Sequence, residues 1–294
     1  MGSNLSKIKG IMRLTRPYVL ITTLFFFIAA AFLSVKSIPP ILPFFTGLVA
    51  TGLAIASAHT INDYSDRLVD GENPRTAKRP IPTGLVPPVQ ALIVGLTFGV
   101  LAVLLTFTLN PLCIIFAFVS APLPFVYNYL RKRRIPLSFI CSVLAVLFII
   151  LFGSASVSGQ LIPNFVWLFA ISGMVWEMGR TMISEVQDVD ADKESDVTTI
   201  SIALSSKRAA WVILVLFTIA ASVNVLIGFV AHLGFMYLIP AFVAAIWLLY
   251  QTLRLVKKPT TPNAIQMKMR APQYLVVVSL TLIVTIIINM LLGV

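Results

Sequence analysis

Apolar runs of about 20 residues recur from one end of this 294-residue chain to the other, each long enough to cross the hydrocarbon core of a bilayer. Lipid must therefore be the solvent for most of the chain. Charged residues make up only 11% of it, against roughly 25% in an ordinary soluble domain. Read against proline, glycine and charge punctuation, the runs predict nine helices, at 17–34, 41–62, 88–109, 111–130, 136–156, 163–186, 208–230, 233–253 and 272–292. Only Asn110-Pro111 separates the third from the fourth, which predicts a tight hairpin there. The expectation is an all-α, polytopic membrane protein forming a single domain over residues 1–294.

Several function classes drop out early. The net charge of +11 sits in short clusters between apolar runs rather than on one soluble face, so nucleic acid is not the expected partner. Cys113 and Cys141 lie inside apolar runs with no CxxC or histidine beside them, and His59 and His232 stand apart, so neither a disulfide nor a zinc site is predicted. Lys7, Lys9, Arg13 and Arg16 precede the first apolar run and no small-residue cleavage pattern follows it, which reads as a first span rather than a signal peptide.

Orientation follows from the basic residues. Of the 22 Lys and Arg, 21 fall before the first span or in the connections 63–87, 131–134, 180–208 and 254–270, and only Lys36 falls on the other face. The positive-inside rule then puts the N-terminus and these connections in the cytoplasm and, with nine spans, the C-terminus outside. That rule says little about where acids go, yet all eleven lie in two regions of the same face. Asp63, Asp66, Asp70 and Glu72 follow the second span. Glu177, Glu185, Asp188, Asp190, Asp192, Glu194 and Asp196 end and follow the sixth.

The spacing within each cluster points to chemistry. Asn62, Asp66 and Asp70 recur every four residues, which aligns their oxygens along one helix face, and Asp188, Asp192 and Asp196 repeat the device. Two facing carboxylate rows repel unless cations lie between them. Hard oxygen ligands suit Mg2+, which takes one or two carboxylates and fills its shell with water and phosphate, so a diphosphate is the natural third component. Arg75, Lys78 and Arg79 follow the first row, and Arg131, Lys132, Arg133 and Arg134 form the neighbouring basic connection. Guanidinium forks among them can hold phosphate oxygens, although Arg133 and Arg134 read equally well as topology signals. A calcium loop at Asp188-Val189-Asp190-Ala191-Asp192 is excluded, because Lys193 stands where the turn glycine belongs and Thr199 where the bidentate glutamate belongs.

These motifs resemble the UbiA superfamily of intramembrane prenyltransferases. Asn62 to Asp70 is similar to the family's N-D-x-x-D-x-x-x-D signature, and Arg79-Pro80-Ile81-Pro82-Thr83-Gly84 to the R-P-[IL]-x-x-G stretch that follows it. Asp188 to Asp192 resembles the second, D-x-E-G-D signature, with Asp190 and Ala191 replacing the usual Glu and Gly. Tyr127-Asn128-Tyr129-Leu130-Arg131-Lys132 resembles the Tyr-x-x-Leu-Lys-Arg connection with the two basic residues exchanged. The resemblance implies nine transmembrane helices around a central cavity and a Mg2+-dependent transfer from an isoprenyl diphosphate. It implies that Asn62, Asp66, Asp70, Asp188 and Asp192 hold the metal, and that Arg75, Arg79, Arg131 and Lys132 neutralise the diphosphate. Phe148, Phe152 and Trp176 are candidates to face the allylic cation. The acceptor is hydrophobic: an aromatic quinone precursor is the first choice and geranylgeranylglyceryl phosphate the second. An ion-coupled transporter is the competitor from another class, but it calls for acids near the bilayer midplane rather than at one edge.

Topology gives the first test. A cysteine placed at Ser37 is expected to react with an impermeant thiol reagent added outside intact cells, and one at Ser205 only after permeabilisation. Reversed labelling overturns the orientation.

Overall fold

The computed structural model describes residues 2–72, 76–133, 138–159, 162–194 and 205–293; for 2–5, 132 and 188–194 it describes the backbone alone. Within these residues the chain is helical throughout: α1 (Gly2–Leu14), α2 (Pro17–Val35), α3 (Ile41–Ser65), α4 (Arg67–Glu72), α5 (Pro88–Thr106), α6 (Pro111–Ser120), α7 (Leu123–Lys132), α8 (Phe139–Ser158), α9 (Asn164–Glu194), α10 (Ser206–Val230), α11 (Phe235–Lys257) and α12 (Thr261–Leu292). Eight segments are long and apolar enough to cross a membrane, with α6 and α7 counted together. The sixth expected span falls on α9, which is 31 residues long and carries Glu177, Arg180 and Glu185 inside that span.

Among the boundaries that differ from expectation, three bear on the architecture, the first two of them at a proline. The span expected at 111–130 is broken between α6 and α7, where Pro122 has no N–H to continue the helical ladder. The last helix begins at Thr261 rather than 272, because Pro272 is accommodated inside it, as transmembrane helices allow when neighbours cover the freed carbonyl. The third span stops at Thr106, and Asn110 then opens α6: its side-chain oxygen accepts from the Cys113 amide at 3.1 Å while its Nδ2 donates to Ala155 O on α8 at 2.7 Å. The predicted hairpin thus forms, held from outside as well as from within.

Packing sorts the helices into two groups joined by α2 and α8. The main core gathers buried residues of α2, α8, α9, α10, α11 and α12, among them Phe26, Ile150, Phe169, Ile183, Phe217, Leu248 and Leu282. A smaller core places Phe27 and Ala31 of α2 against Ala50 of α3, Cys113 of α6 and Phe152 of α8. Between lipid-immersed helices there is no hydrophobic drive, so close backbone approach matters. Where α2 meets α8, a Cβ on Gly153 would lie 2.7 Å from Phe27 O, and the Ser34 and Ser154 hydroxyls pair across the contact at 2.8 Å. The short basic helix α1 lies apart from both cores. Leu14 packs on Ile81 and Val86 of the stretch between α4 and α5, a detail that matters for the site.

Glycine substitutions separate packing from propensity. Gly153→Ala should lower the thermal midpoint in detergent, at a cost of about 1–3 kcal/mol, because the clash is with backbone that cannot rotate away. Gly52→Ala, where the added Cβ meets nothing within 4 Å, should instead raise it, by up to ~1 kcal/mol of helix propensity. Equal shifts in circular-dichroism melts of the two variants would show that the α2–α8 approach is not a constraint.

Candidate active site

The first carboxylate row forms where α3 ends. Asp66 leaves helical geometry for one residue (φ −88°, ψ 0°) and α4 resumes at Arg67. The backbone keeps the register across this break: Asp66 N donates to Asn62 O at 2.9 Å, and Asp70 N to Asp66 O at 2.8 Å. Asn62, Asp66 and Asp70 therefore stay on one face, as their spacing predicts.

Arginines come to this row from three directions. The stretch Arg79 to Gly84 folds into a compact turn, with Thr83 N on Arg79 O at 3.1 Å, Gly84 N on Ile81 O at 3.0 Å and Val86 N on Pro80 O at 3.0 Å. Gly84 takes φ +71°, which an L side chain resists, and Ile81 is buried beneath Leu14 of α1. So anchored, Arg79 donates through Nη1 to Asp70 Oδ2 at 2.6 Å and to Asp63 Oδ1 at 3.2 Å. From α7, Arg131 Nη1 donates to Asp66 Oδ2 at 2.9 Å and the same guanidinium bonds Tyr127. From the α1–α2 junction, Arg16 donates to Asp63 Oδ1. Pro17 disfavours the right-handed α region for the residue before it, and Arg16 sits instead in the left-handed region (φ 49°, ψ 67°) with its guanidinium held by that carboxylate.

Asp63 is thus a residue that the spacing rule passed over. It is 3% exposed, and it joins Arg16 and Arg79. The available signal was an acid at the end of an apolar run, which requires a cation on the same face. A second pair that sequence reasoning missed lies one element away: Glu177 of α9, also buried, takes a two-point contact from Arg180, with Nε on Oε2 at 2.5 Å.

The other predicted residues divide as follows. The backbone of α9 is helical through Glu194, so Asp188 and Asp192 lie one turn apart and no calcium-type loop forms there; their side chains, with all of Asp196, lie outside the described residues. Arg75 and Arg134 also lie outside them, as does the side chain of Lys132. Arg133 stacks over Tyr129, 5.4 Å from the ring centroid, away from the carboxylates.

An apolar cavity of about 480 Å³ opens beside the row. It runs along α3 from Ala50 to Ile61, the neighbour of Asn62, and is closed by α5, α6, α7 and α8. Hydroxyls on its wall are turned to backbone carbonyls: Thr51 to Gly47 O (2.8 Å), Ser57 to Gly95 O (2.7 Å), Thr106 to Val103 O (2.7 Å) and Ser120 to Ala117 O (3.3 Å). Phe148 and Phe152 line it, whereas Trp176 is packed edge-on against Phe26 in the main core. The cavity is therefore suited to hydrocarbon, and on α3 its lining stops at Ile61, one residue short of the carboxylate row.

That end suits a hard cation. Asn62 Oδ1 is buried without a hydrogen-bond partner, a state that costs free energy unless a ligand repairs it. Burial raises the pKa of Asp66 above its ordinary value while Arg131 pulls it down, so the carboxylate gains from any added positive charge. Among the described residues no three His, Cys, Asp or Glu side chains converge on one point, so a complete cage needs donors from elsewhere.

Comparison with known proteins agrees with this geometry. The model of the UbiA prenyltransferase family matches residues 23–288, and the chain belongs to that family. It is 28% identical over 261 residues to digeranylgeranylglyceryl phosphate synthase of Natronomonas pharaonis, covering 88% of this chain and 92% of the relative. To protoheme IX farnesyltransferase 1 of Vibrio parahaemolyticus it is 26% identical over 260 residues, covering 87% and 85%. Its fold superposes with a TM-score of 0.74 on the apo structure of a UbiA homologue from Aeropyrum pernix K1, at 19% identity and covering 93% of this chain and 98% of the other. A UbiA homologue from Archaeoglobus fulgidus bound to GPP and Mg2+ gives 0.63, at 15% identity and covering 94% and 99%.

The ion pairs differ in what their loss should cost. Asp63→Asn leaves two guanidiniums facing a neutral amide and should destabilise toward the lower end of the ~3–5 kcal/mol typical of broken buried pairs, since Arg16 and Arg79 are 30% and 24% exposed. Asp66→Asn, whose partner Arg131 is 51% exposed, should cost ~0–1 kcal/mol. Unfolding in mixed micelles without divalent cations checks the order; a costlier Asp66→Asn would mean that Asp63 is not the anchor.

Proposed function

We propose that this chain transfers the prenyl group of an isoprenyl diphosphate, with Mg2+, to a hydrophobic acceptor inside the membrane, with the reaction on the cytoplasmic side. The observation that carries this reading is an apolar cavity whose lining on α3 reaches Ile61, one residue before the row Asn62, Asp66 and Asp70, to which Arg79 and Arg131 are bonded. A prenyl tail fits the cavity and a diphosphate fits its polar end. Asn62, Asp66, Asp70, Asp188 and Asp192 would hold the metal, which supplies positive charge to the leaving diphosphate. Arg79 and Arg131 add donors to the same group, and Arg75 and Lys132 stand in the connections from which they could join them.

The C–O bond to the diphosphate breaks with its electron pair leaving on oxygen, the acceptor's pair forms the new bond to the allylic carbon, and the acceptor then loses a proton. Phe148 and Phe152 present aromatic faces to the cation, and the hydrocarbon walls exclude water that would quench it. Of the two acceptor classes read from the sequence, geranylgeranylglyceryl phosphate has more support than an aromatic quinone precursor, because a digeranylgeranylglyceryl phosphate synthase matches nearly the whole chain; a protoheme IX farnesyltransferase matches about as much of it, which makes haem the rival acceptor. An ion-coupled transporter has no comparable support.

Purified full-length protein, incubated with radiolabelled geranylgeranyl diphosphate and either geranylgeranylglyceryl phosphate or 4-hydroxybenzoate, tests both levels. Product is expected with the lipid acceptor, dependent on Mg2+ and abolished in Asp66→Ala and Asp192→Ala. Product with the aromatic acid alone reverses the acceptor choice. Turnover with neither acceptor, together with donor binding unchanged in EDTA, would remove the prenyl-transfer reading.

A further inference from the structure

Residues 197–294 contain no Asp or Glu, yet hold Lys207, Arg208, Arg254, Lys257, Lys258, Lys268 and Arg270. Two of these converge where α11 ends and α12 begins. Arg254 Nη1 points to Gln251 Oε1 at 3.4 Å, at the outer limit of a hydrogen bond, and Arg270 Nη1 donates to the same oxygen. One neutral amide oxygen thus faces two guanidiniums, each with five N–H donors, and no ion pair to a carboxylate forms at either arginine among the described residues. Asn263 and Gln266 lie beside them in a shallow recess of about 10 Å³ between the two helices, so an anion would rest on its rim rather than inside it.

The recess lies at the same end of the helices as the carboxylate row. Tyr18, at the start of α2, donates to Met269 O at 3.3 Å, and Arg16 of the same junction reaches Asp63, so this end of α12 shares the membrane face of the carboxylate row. Tyr250, Leu253, Ile265 and Met269 around it are exposed apolar or aromatic side chains of the kind that contact lipid at the interface. On α12, Lys268 turns to Gln187 of α9 while Arg270, two residues on, turns to α11, so the recess is separate from the face that meets α9.

We infer that Arg254 and Arg270 form a binding site for the phosphate of an anionic phospholipid headgroup. Two guanidiniums with unspent donors match phosphate oxygens in number and geometry, and the apolar rim leaves the acyl chains in the bilayer. This site stands apart from prenyl transfer and does not depend on that reading.

The test is native mass spectrometry of the full chain in detergent with EDTA, titrated with phosphatidylglycerol, phosphatidylcholine or inorganic phosphate. Wild type is expected to retain one phosphatidylglycerol at activation energies that strip phosphatidylcholine, and Arg254→Gln/Arg270→Gln to bind it at least tenfold more weakly. Lys207→Gln/Arg208→Gln removes equal charge elsewhere and should bind as wild type does, and unchanged melting of all variants without lipid shows that each is folded. Arg254→Lys/Arg270→Lys keeps charge but loses the forks, and should fall between. Equal weakening in both glutamine pairs would reduce the site to general surface charge. Competition by millimolar inorganic phosphate would make it a free-anion site, and unchanged binding in Arg254→Gln/Arg270→Gln would overturn it outright.

Discussion

A carboxylate at the end of a lipid-embedded helix is tolerable only if cations come to it, and Asp63 meets that demand with two arginines from distant parts of the chain. Arg16 brings the α1–α2 junction onto the end of α3, and Arg79 brings the turn that precedes α5. Because Arg79 also holds Asp70, the same contact fixes the far end of the carboxylate row. The buried charge thereby does more than neutralise itself: it ties three chain segments together at the mouth of the cavity. The apolar contact of Leu14 with Ile81 and Val86 closes the same assembly from the other side.

The cavity and its mouth obey opposite rules, and the chain satisfies each locally. Along the wall, side-chain hydroxyls are spent on backbone carbonyls, so nothing polar competes with hydrocarbon. At the mouth, Asn62 Oδ1 is left buried and unpaired, and the Asp66 carboxyl has its pKa raised by burial. Polar groups are thus withdrawn where a prenyl chain would lie and left wanting charge where a diphosphate and its cations would sit. A uniform interior, either all satisfied or all exposed, could not distinguish the two ends of such a donor.

Much of this was legible in the sequence because bilayer thickness sets the length of an apolar run and the helical repeat sets the spacing of a carboxylate row. The ends of α2 and α3, the Asn110 hairpin and the register of Asn62, Asp66 and Asp70 follow from those two facts. What failed depends on neighbours. Pro272 reads as a boundary until packing around it accommodates a missing hydrogen bond, and Pro122 breaks a helix that composition alone would continue. The basic helix α1 has too little apolar surface to announce itself. Asp63 with Arg16 is a pairing in three dimensions, and a rule built on one helix face has no means of choosing partners across 47 residues; Glu177 with Arg180, three residues apart on α9, lay within reach of that rule and was passed over because neither falls in a row spaced by four.

The arginine pairs also bear on how the site changes state. Arg79 and Arg131 occupy oxygens of Asp70 and Asp66, the carboxylates expected to meet a metal, and one carboxylate oxygen cannot give its full charge to both a guanidinium and a dication. The two arginines differ in how firmly they are kept. Arg79 has a second carboxylate, Asp63, to fall back on, and its backbone is pinned by the turn through Gly84. Arg131 is half exposed and bonded to Tyr127, so it can swing without breaking a buried pair. The row is thus protected from self-repulsion by counter-charges that, on the proposed function, would turn toward a diphosphate as the carboxylates took a metal. Such an exchange of partners requires no carboxylate to stand alone in a medium of low dielectric.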